Sequence, residues 1–227
     1  MKRFLVILFL LVTFKGVAQE GFHIGADVGL NTVWITHQDD YGQVGILHVL
    51  DYGVAPSLTL GYNFKPNMGL QIDFIYSFQG GKYQQTLKNN TLTRQVDLNY
   101  FKVPLYFKYS YTNSDVKNVK FFVMGGPQIG LLQSASITSD YLEAPYVGND
   151  EKYRFESTEI ELAGQAGADI YVNANIYFEL GIRVDYGLTD MNAPAYRIPS
   201  NGSPYSAGSN ATGGLILGIN YMFNKKN

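Results

Sequence analysis

Between Asn175 and Leu188 the chain reads NIYFELGIRVDYGL. Ile176, Phe178, Leu180, Ile182, Val184, Tyr186 and Leu188 share one side of an extended chain, and Tyr177, Glu179, Gly181, Arg183, Asp185 and Gly187 share the other, because side chains alternate with period two. The rule recurs along the sequence. Phe22 to Asn31, Asp51 to Phe64, Met68 to Gln79, Val119 to Leu132, Thr158 to Tyr171 and Thr212 to Phe223 each set an apolar face against a polar or glycine-rich one. Gln95 to Tyr109 is less regular: Val96, Leu98 and Tyr100 hold one phase, and Val103, Leu105, Phe107 and Tyr109 hold the other. Two phases in one strand predict a bulge near Phe101 or Lys102, and Pro104, which lacks an N–H, fits an interrupted ladder there. The eight strands so predicted are joined alternately by long polar segments (Thr32 to Leu50, Gly80 to Arg94, Gln133 to Phe155, Thr189 to Ala211) and short ones (Lys65 to Asn67, Ser110 to Asn118, and a turn at Asn173).

Alternation alone does not say which face points inward. A soluble barrel hides its apolar face, whereas a membrane barrel shows that face to lipid. A soluble, lipocalin-like barrel needs a well-charged exterior, with roughly a quarter to a third of surface residues as Lys, Arg, Glu and Asp. Here the polar faces are mostly Gly, Ala, Ser, Asn and Gln. The apolar faces are therefore expected to meet lipid, and the fold class is all-β: an eight-stranded antiparallel up-and-down transmembrane β-barrel. An even strand count with alternating long and short connections, the first one long, places both chain ends and the short turns in the periplasm and the long loops outside.

Composition adds the compartment. The first residues are Met1-Lys2-Arg3, then the apolar run Phe4 to Phe14, then Gly16-Val17-Ala18, the layout of a secretory signal. Residues 1–18 are read as that signal and 19–227 as one barrel domain. With no Cys in the 227 residues, neither a lipid-modified cysteine nor a disulfide is expected. Loss of Lys2, Arg3 and Lys15 from the 17 basic residues leaves 14 against 19 acidic ones, so nucleic acid is not an expected partner. No apolar run beyond the signal reaches the 18 or so residues of a spanning helix, and strands can cross hydrocarbon only as a closed barrel.

The chain resembles the outer membrane β-barrel family that includes PorT-like proteins. The resemblance rests on Ala18-Gln19 at the end of the signal, Tyr100-Phe101-Lys102-Val103-Pro104-Leu105, Gly126-Pro127 followed by Ile129-Gly130, Arg183-Val184-Asp185-Tyr186-Gly187-Leu188-Thr189, and the closing Gly218-Ile219-Asn220-Tyr221-Met222-Phe223. It implies the outer membrane of a Gram-negative bacterium. PorT-like members are linked to protein secretion, a role that a family-level likeness does not by itself transfer.

Candidate chemistry is sparse, and no catalytic, metal or cofactor site is expected. The only catalytic arrangement the residues allow is His37 with Asp39 and Asp40 in the first long loop, and adjacent loop aspartates are ordinarily just solvated. A small solute pore is the alternative function, because inward Gly25, Gly29, Gly53, Gly61, Gly181 and Gly218 leave side-chain volume unfilled. Side chains fill the interior of an eight-stranded barrel almost completely, however. The expected partners are outer-membrane lipid and a protein at the outer loops or periplasmic turns, where mid-loop Tyr146 and Tyr205 are candidates for contact. The interior is expected to carry a polar network of Asp73, Glu161, Asp169, Glu179, Arg183 and Asp185. A hairpin centred near Asn173 sets Glu161 opposite Asp185 and Asp169 opposite Tyr177. Arg183, the one base on the inner face of its strand pair, is then expected to bridge at least two of the four acids there.

Overall fold

The computed structural model describes residues 21–36, 47–87, 90–112, 118–140, 146–197 and 204–223. The signal segment and the His37, Asp39 and Asp40 group lie outside them. The described residues form ten strands: β1 (Phe22–Ile35), β2 (Leu47–Val49), β3 (Asp51–Lys65), β4 (Met68–Leu87), β5 (Asn90–Thr112), β6 (Val119–Ser139), β7 (Tyr146–Gly148), β8 (Thr158–Tyr171), β9 (Ile176–Gly187) and β10 (Asn210–Met222). Eight of them close a ring in the order β1-β3-β4-β5-β6-β8-β9-β10 and back to β1, every pairing antiparallel. Closure removes the sheet edges that lipid cannot satisfy. The short β2 and β7 lie outside the ring, on β4 and β6.

The packing is inverted relative to a soluble barrel. Ile24, Leu58, Phe74, Phe107, Ile129, Ile160, Leu180 and Leu217, one from each ring strand, are all exposed, while the alternate positions are buried. Continuous apolar surface on this scale is intolerable in water and is the natural contact with hydrocarbon. The lipocalin-like alternative requires the opposite arrangement.

Three expectations are corrected. Strands run well beyond the hydrophobic alternation: β4 and β5 pair as far as Leu87 and Asn90, so most of Gly80 to Arg94 is hairpin rather than loop. β1 likewise reaches Ile35 and β6 reaches Ser139. Above the lipid no face needs to be apolar, so the alternation fades while the hydrogen-bonded ladder continues. Gly80, at φ 146°, lies where an added Cβ would strike the Val96 carbonyl.

The expected bulge near Phe101 or Lys102 is also displaced. β5 keeps its even-numbered residues inward from Val96 to Lys108, and the irregularity falls on β6: Asn99 faces Ser134 but Tyr100 faces Leu132, leaving Gln133 as the extra residue. Val96, Leu98 and Tyr100 thus point into the barrel. Their apolar character marks a change in what fills the interior, with no change of phase.

The β8–β9 register is the third correction. Glu161 faces Gly187, Ala163 faces Asp185, Gln165 faces Arg183 and Asp169 faces Glu179. The pairing is shifted by two because the turn is centred one residue later. Asn173 Oδ1 accepts hydrogen bonds from the N–H groups of Asn175 (2.8 Å) and Ile176 (2.9 Å), and Val172 N–H donates to the Ile176 carbonyl (2.9 Å). Such side-chain-to-backbone closure is what makes Asn a turn residue. An even shift preserves parity, so the inner faces keep their residues and change only their opposite numbers.

Candidate functional site

The barrel interior divides into two zones. From the chain ends upward to about Glu159 it carries the charged groups beside a small apolar cluster of Tyr106, Phe122, Met124 and Ala163, and the structure places Asp73, Glu161, Asp169, Glu179, Arg183 and Asp185 there, all buried. It does not join them as the sequence suggested. Lys102 and Lys108 of β5 reach across to the four acids of β8 and β9. Lys108 Nζ lies 3.0 Å from Asp169 Oδ2 and 3.5 Å from Glu179 Oε2, and 4.2 Å from the centre of the Phe122 ring. Lys102 Nζ lies 2.8 Å from Glu161 Oε2 and 3.8 Å from Asp185 Oδ2. Gln165 donates to Glu179, Gln128 donates to Glu161, and Thr212 Oγ1 donates to Asp185 Oδ2 at 2.9 Å.

Arg183 instead crosses the barrel to β4, where its Nη2 is 3.2 Å from Asp73 Oδ2. Asp73 Oδ1 accepts from Gln71 Nε2 at 3.0 Å, and Thr59 Oγ1 lies 2.8 Å from the same oxygen. Each buried base therefore has a carboxylate within ion-pair distance, the condition under which buried charge is tolerated. The β5 lysines carried a readable signal. Once Val103, Leu105, Phe107 and Tyr109 face outward, Lys102, Pro104, Tyr106 and Lys108 must face inward. Asp27, Thr59, Gln71 and Glu159 were legible by the same parity.

The space at several inward glycines is already taken. An added Cβ at Gly61 would strike the His23 ring, one at Gly25 the Asn220 amide, one at Gly218 the Asp27 carboxylate and one at Gly187 the Glu159 carboxylate. Each missing side chain is the space into which a polar neighbour folds.

Above Glu159 the interior becomes apolar. Ile35, Tyr83, Val96, Leu98, Tyr100, Leu132, Ala135 and Ile137 from four strands pack with Phe155 and Met191 from the two connections flanking the β8–β9 hairpin. Those connections clasp each other. Glu156 N–H donates to the Met191 carbonyl (2.8 Å), Ala193 N–H to Arg154 (2.9 Å) and Met191 N–H to Gly208 (2.8 Å). Asp190 is the hub of the clasp: it receives the Tyr205 hydroxyl (2.8 Å), the N–H groups of Asn192 (3.0 Å) and Gly208 (3.2 Å), and Arg197 Nε (2.9 Å). Burial, with the Asp190 carboxylate beside it, raises the Tyr205 phenol above its ordinary pKa, which keeps it a donor. Glu159 links the zones, accepting from Asn210 Nδ2 at 2.7 Å while that amide also lies 3.3 Å from the Tyr100 hydroxyl.

A lipid-facing apolar belt around a charged, occupied interior has a counterpart among known families. Residues 17–192 match the model of the outer membrane protein beta-barrel domain. The chain belongs to that family. This outer-membrane barrel lies in the outer membrane of a Gram-negative bacterium, as the family and the exposed belt require. Among solved structures it is similar to Neisserial surface protein A, at 15% identity, covering 89% of this chain and 97% of that one with a TM-score of 0.50. OprG from Pseudomonas aeruginosa shares 16% identity over 92% of this chain and 99% of its own, with a TM-score of 0.47. The outer membrane protease OmpT from Escherichia coli shares 12% over 93% and 100%, also at 0.47. The likeness to Neisserial surface protein A shows the shared barrel fold. No curated protein matches the chain.

Proposed function

We propose that this outer-membrane barrel is a closed structural or interaction protein that works through its outer connections, and is neither a solute pore nor an enzyme. The apolar plug carries this reading: ten side chains, two of them delivered by clasped connections, fill the outer mouth directly above stacked ion pairs. Water and ions crossing such a path would have to displace close-packed apolar groups and part buried charges, both costly steps.

What remains accessible lies at the outer rim, where Tyr153, Tyr196 and Arg154 form an aromatic and cationic cluster. The rings meet edge to face with centroids 5.7 Å apart, and the guanidinium lies 5.5 Å from Tyr196. Interfaces favour Tyr and Arg, so the partner sought is a protein. The resemblance to PorT-like proteins makes secretion components the first to look for. In planar bilayers the purified barrel should show no reproducible conductance steps, and such steps would overturn the closed reading. Capture from native outer membranes should recover a defined protein that is lost when Tyr153 and Tyr196 are both replaced by Ser; retention of that protein by the variant would move the interaction elsewhere.

A further inference from the structure

Thr59 stands between two carboxylates. Its Oγ1 is 2.7 Å from Asp27 Oδ2 on β1 and 2.8 Å from Asp73 Oδ1 on β4. Both are full-strength O–H···O distances, yet a threonine hydroxyl has one hydrogen to give. If both acids were ionised, one of these contacts would set two lone pairs against each other in a buried site. A second hydrogen must therefore lie along one of the two lines, and it belongs to a carboxyl group.

The surroundings say which. Asp73 is held as an anion: Arg183 Nη2 sits on Oδ2 and Gln71 Nε2 donates to Oδ1. Asp27 has no such support, because its Oδ1 packs in the space over Gly218 and has no hydrogen-bond partner among the described residues. An uncompensated carboxylate oxygen there is expensive, whereas the carbonyl of a neutral acid is tolerable. The balance of the interior points the same way. Seven inward acids among the described residues (Asp27, Asp73, Glu159, Glu161, Asp169, Glu179 and Asp185) outnumber the three fully buried bases, Lys102, Lys108 and Arg183, and still outnumber the bases when the half-buried Lys120 and Arg94 of the same inner phase are added.

We infer that Asp27 is a neutral carboxylic acid in the folded barrel, donating its proton to Thr59, which donates in turn to the ionised Asp73. The site is a proton-binding site, and the proton is a structural element of the closed interior. The titratable groups facing Asp27 are Asp73 from β4 and Tyr177, Glu179 and Arg183 from β9; β3 and β10 bring Thr59 and Gly218, neither of which titrates. Removing the proton adds a negative charge beside two others with one guanidinium to share. The unfolded carboxyl ionises in the ordinary range, so this contribution to stability is complete below that range, is lost as pH rises out of it, and is gone once the folded state too has released the proton.

The test compares Asp27→Asn with Asp73→Asn in refolded, detergent-solubilised protein. An asparagine amide reproduces the donor that a neutral Asp27 supplies, so Asp27→Asn should keep the wild-type midpoint of heat-modifiable gel migration. The wild-type minus Asp27→Asn infrared difference spectrum should show the C=O stretch of a carboxylic acid at neutral pH. Asp73→Asn should lower the midpoint and retain that band. In wild type the midpoint should fall as pH is raised from the ordinary carboxyl range while the band persists, and this part of the fall should end where the band disappears at higher pH; the Asp27→Asn midpoint should move less over the same range. A difference spectrum without the acid band, a wild-type band insensitive to alkali, or failure of Asp27→Asn to fold where Asp73→Asn folds would each overturn the inference.

Discussion

The two zones of the interior solve one problem with opposite chemistry. The lower zone sets charges that are acceptable only in pairs beside a few apolar side chains, Tyr106, Phe122, Met124 and Ala163. Its integrity depends on a few contacts of about 3 Å between strands far apart in sequence, such as Lys102 with Glu161 and Arg183 with Asp73. The outer zone is filled with apolar side chains whose attraction is non-directional and spread over many neighbours. Its members come from four strands and two connections. The lower zone thus fails through loss of one partner, and the upper zone loses packing in proportion to the volume removed. The zones meet at Glu159 and Asn210, whose hydrogen bond continues to the Tyr100 hydroxyl.

Replacing Arg183 with Met should have the largest effect, because it strands Asp73 among other acids. A broken buried pair costs about 3–5 kcal/mol, read as a lower midpoint of heat-modifiable migration. Asp73→Asn added to Arg183→Met should recover part of that loss, since the orphaned charge goes with it. An additive double variant would show that the pair is hydrated and that the lower zone is not the dry network described. Leu98→Ala attacks the plug and should cost about 2–4 kcal/mol, the range for a buried leucine that leaves a cavity. It should produce no conductance in bilayers, because the ion pairs below still close the path; steps in this variant would show that the plug is the sole barrier.

Gly61→Ala places a methyl group against the His23 ring and should cost about 1–3 kcal/mol as overpacking, measured by the same gel shift. A neutral result there would mean that the lower interior has spare volume. Arg197→Ala removes an ion pair to Glu156 whose two side chains are both 38% exposed, and it also loosens the clasp at Asp190. Half-exposed pairs are worth at most about 1 kcal/mol, so its midpoint should scarcely move. A drop comparable with that of Leu98→Ala would show that the clasp, rather than apolar packing, holds the outer zone together.

The eight ring strands, their closed antiparallel order and the outward face of each but the first half of β5 were legible in the sequence, because period-two alternation is a local property that lipid on one side enforces residue by residue. The inward placement of Asp73, Glu161, Asp169, Glu179, Arg183 and Asp185 followed from the same parity. Their partners did not. Lys102 lies 59 residues from Glu161, and Arg183 lies 110 from Asp73, so which charges meet depends on barrel closure and on a two-residue register that one Asx turn at Asn173 decides. The plug was equally hidden. Val96, Leu98 and Tyr100 look the same in sequence whether they face lipid or a dry outer mouth, and the Gln133 bulge that accommodates them sits on the neighbouring strand. Alternation tells a residue which side of the wall it occupies; only the closed wall, and the connections folded over it, tell that residue what stands opposite.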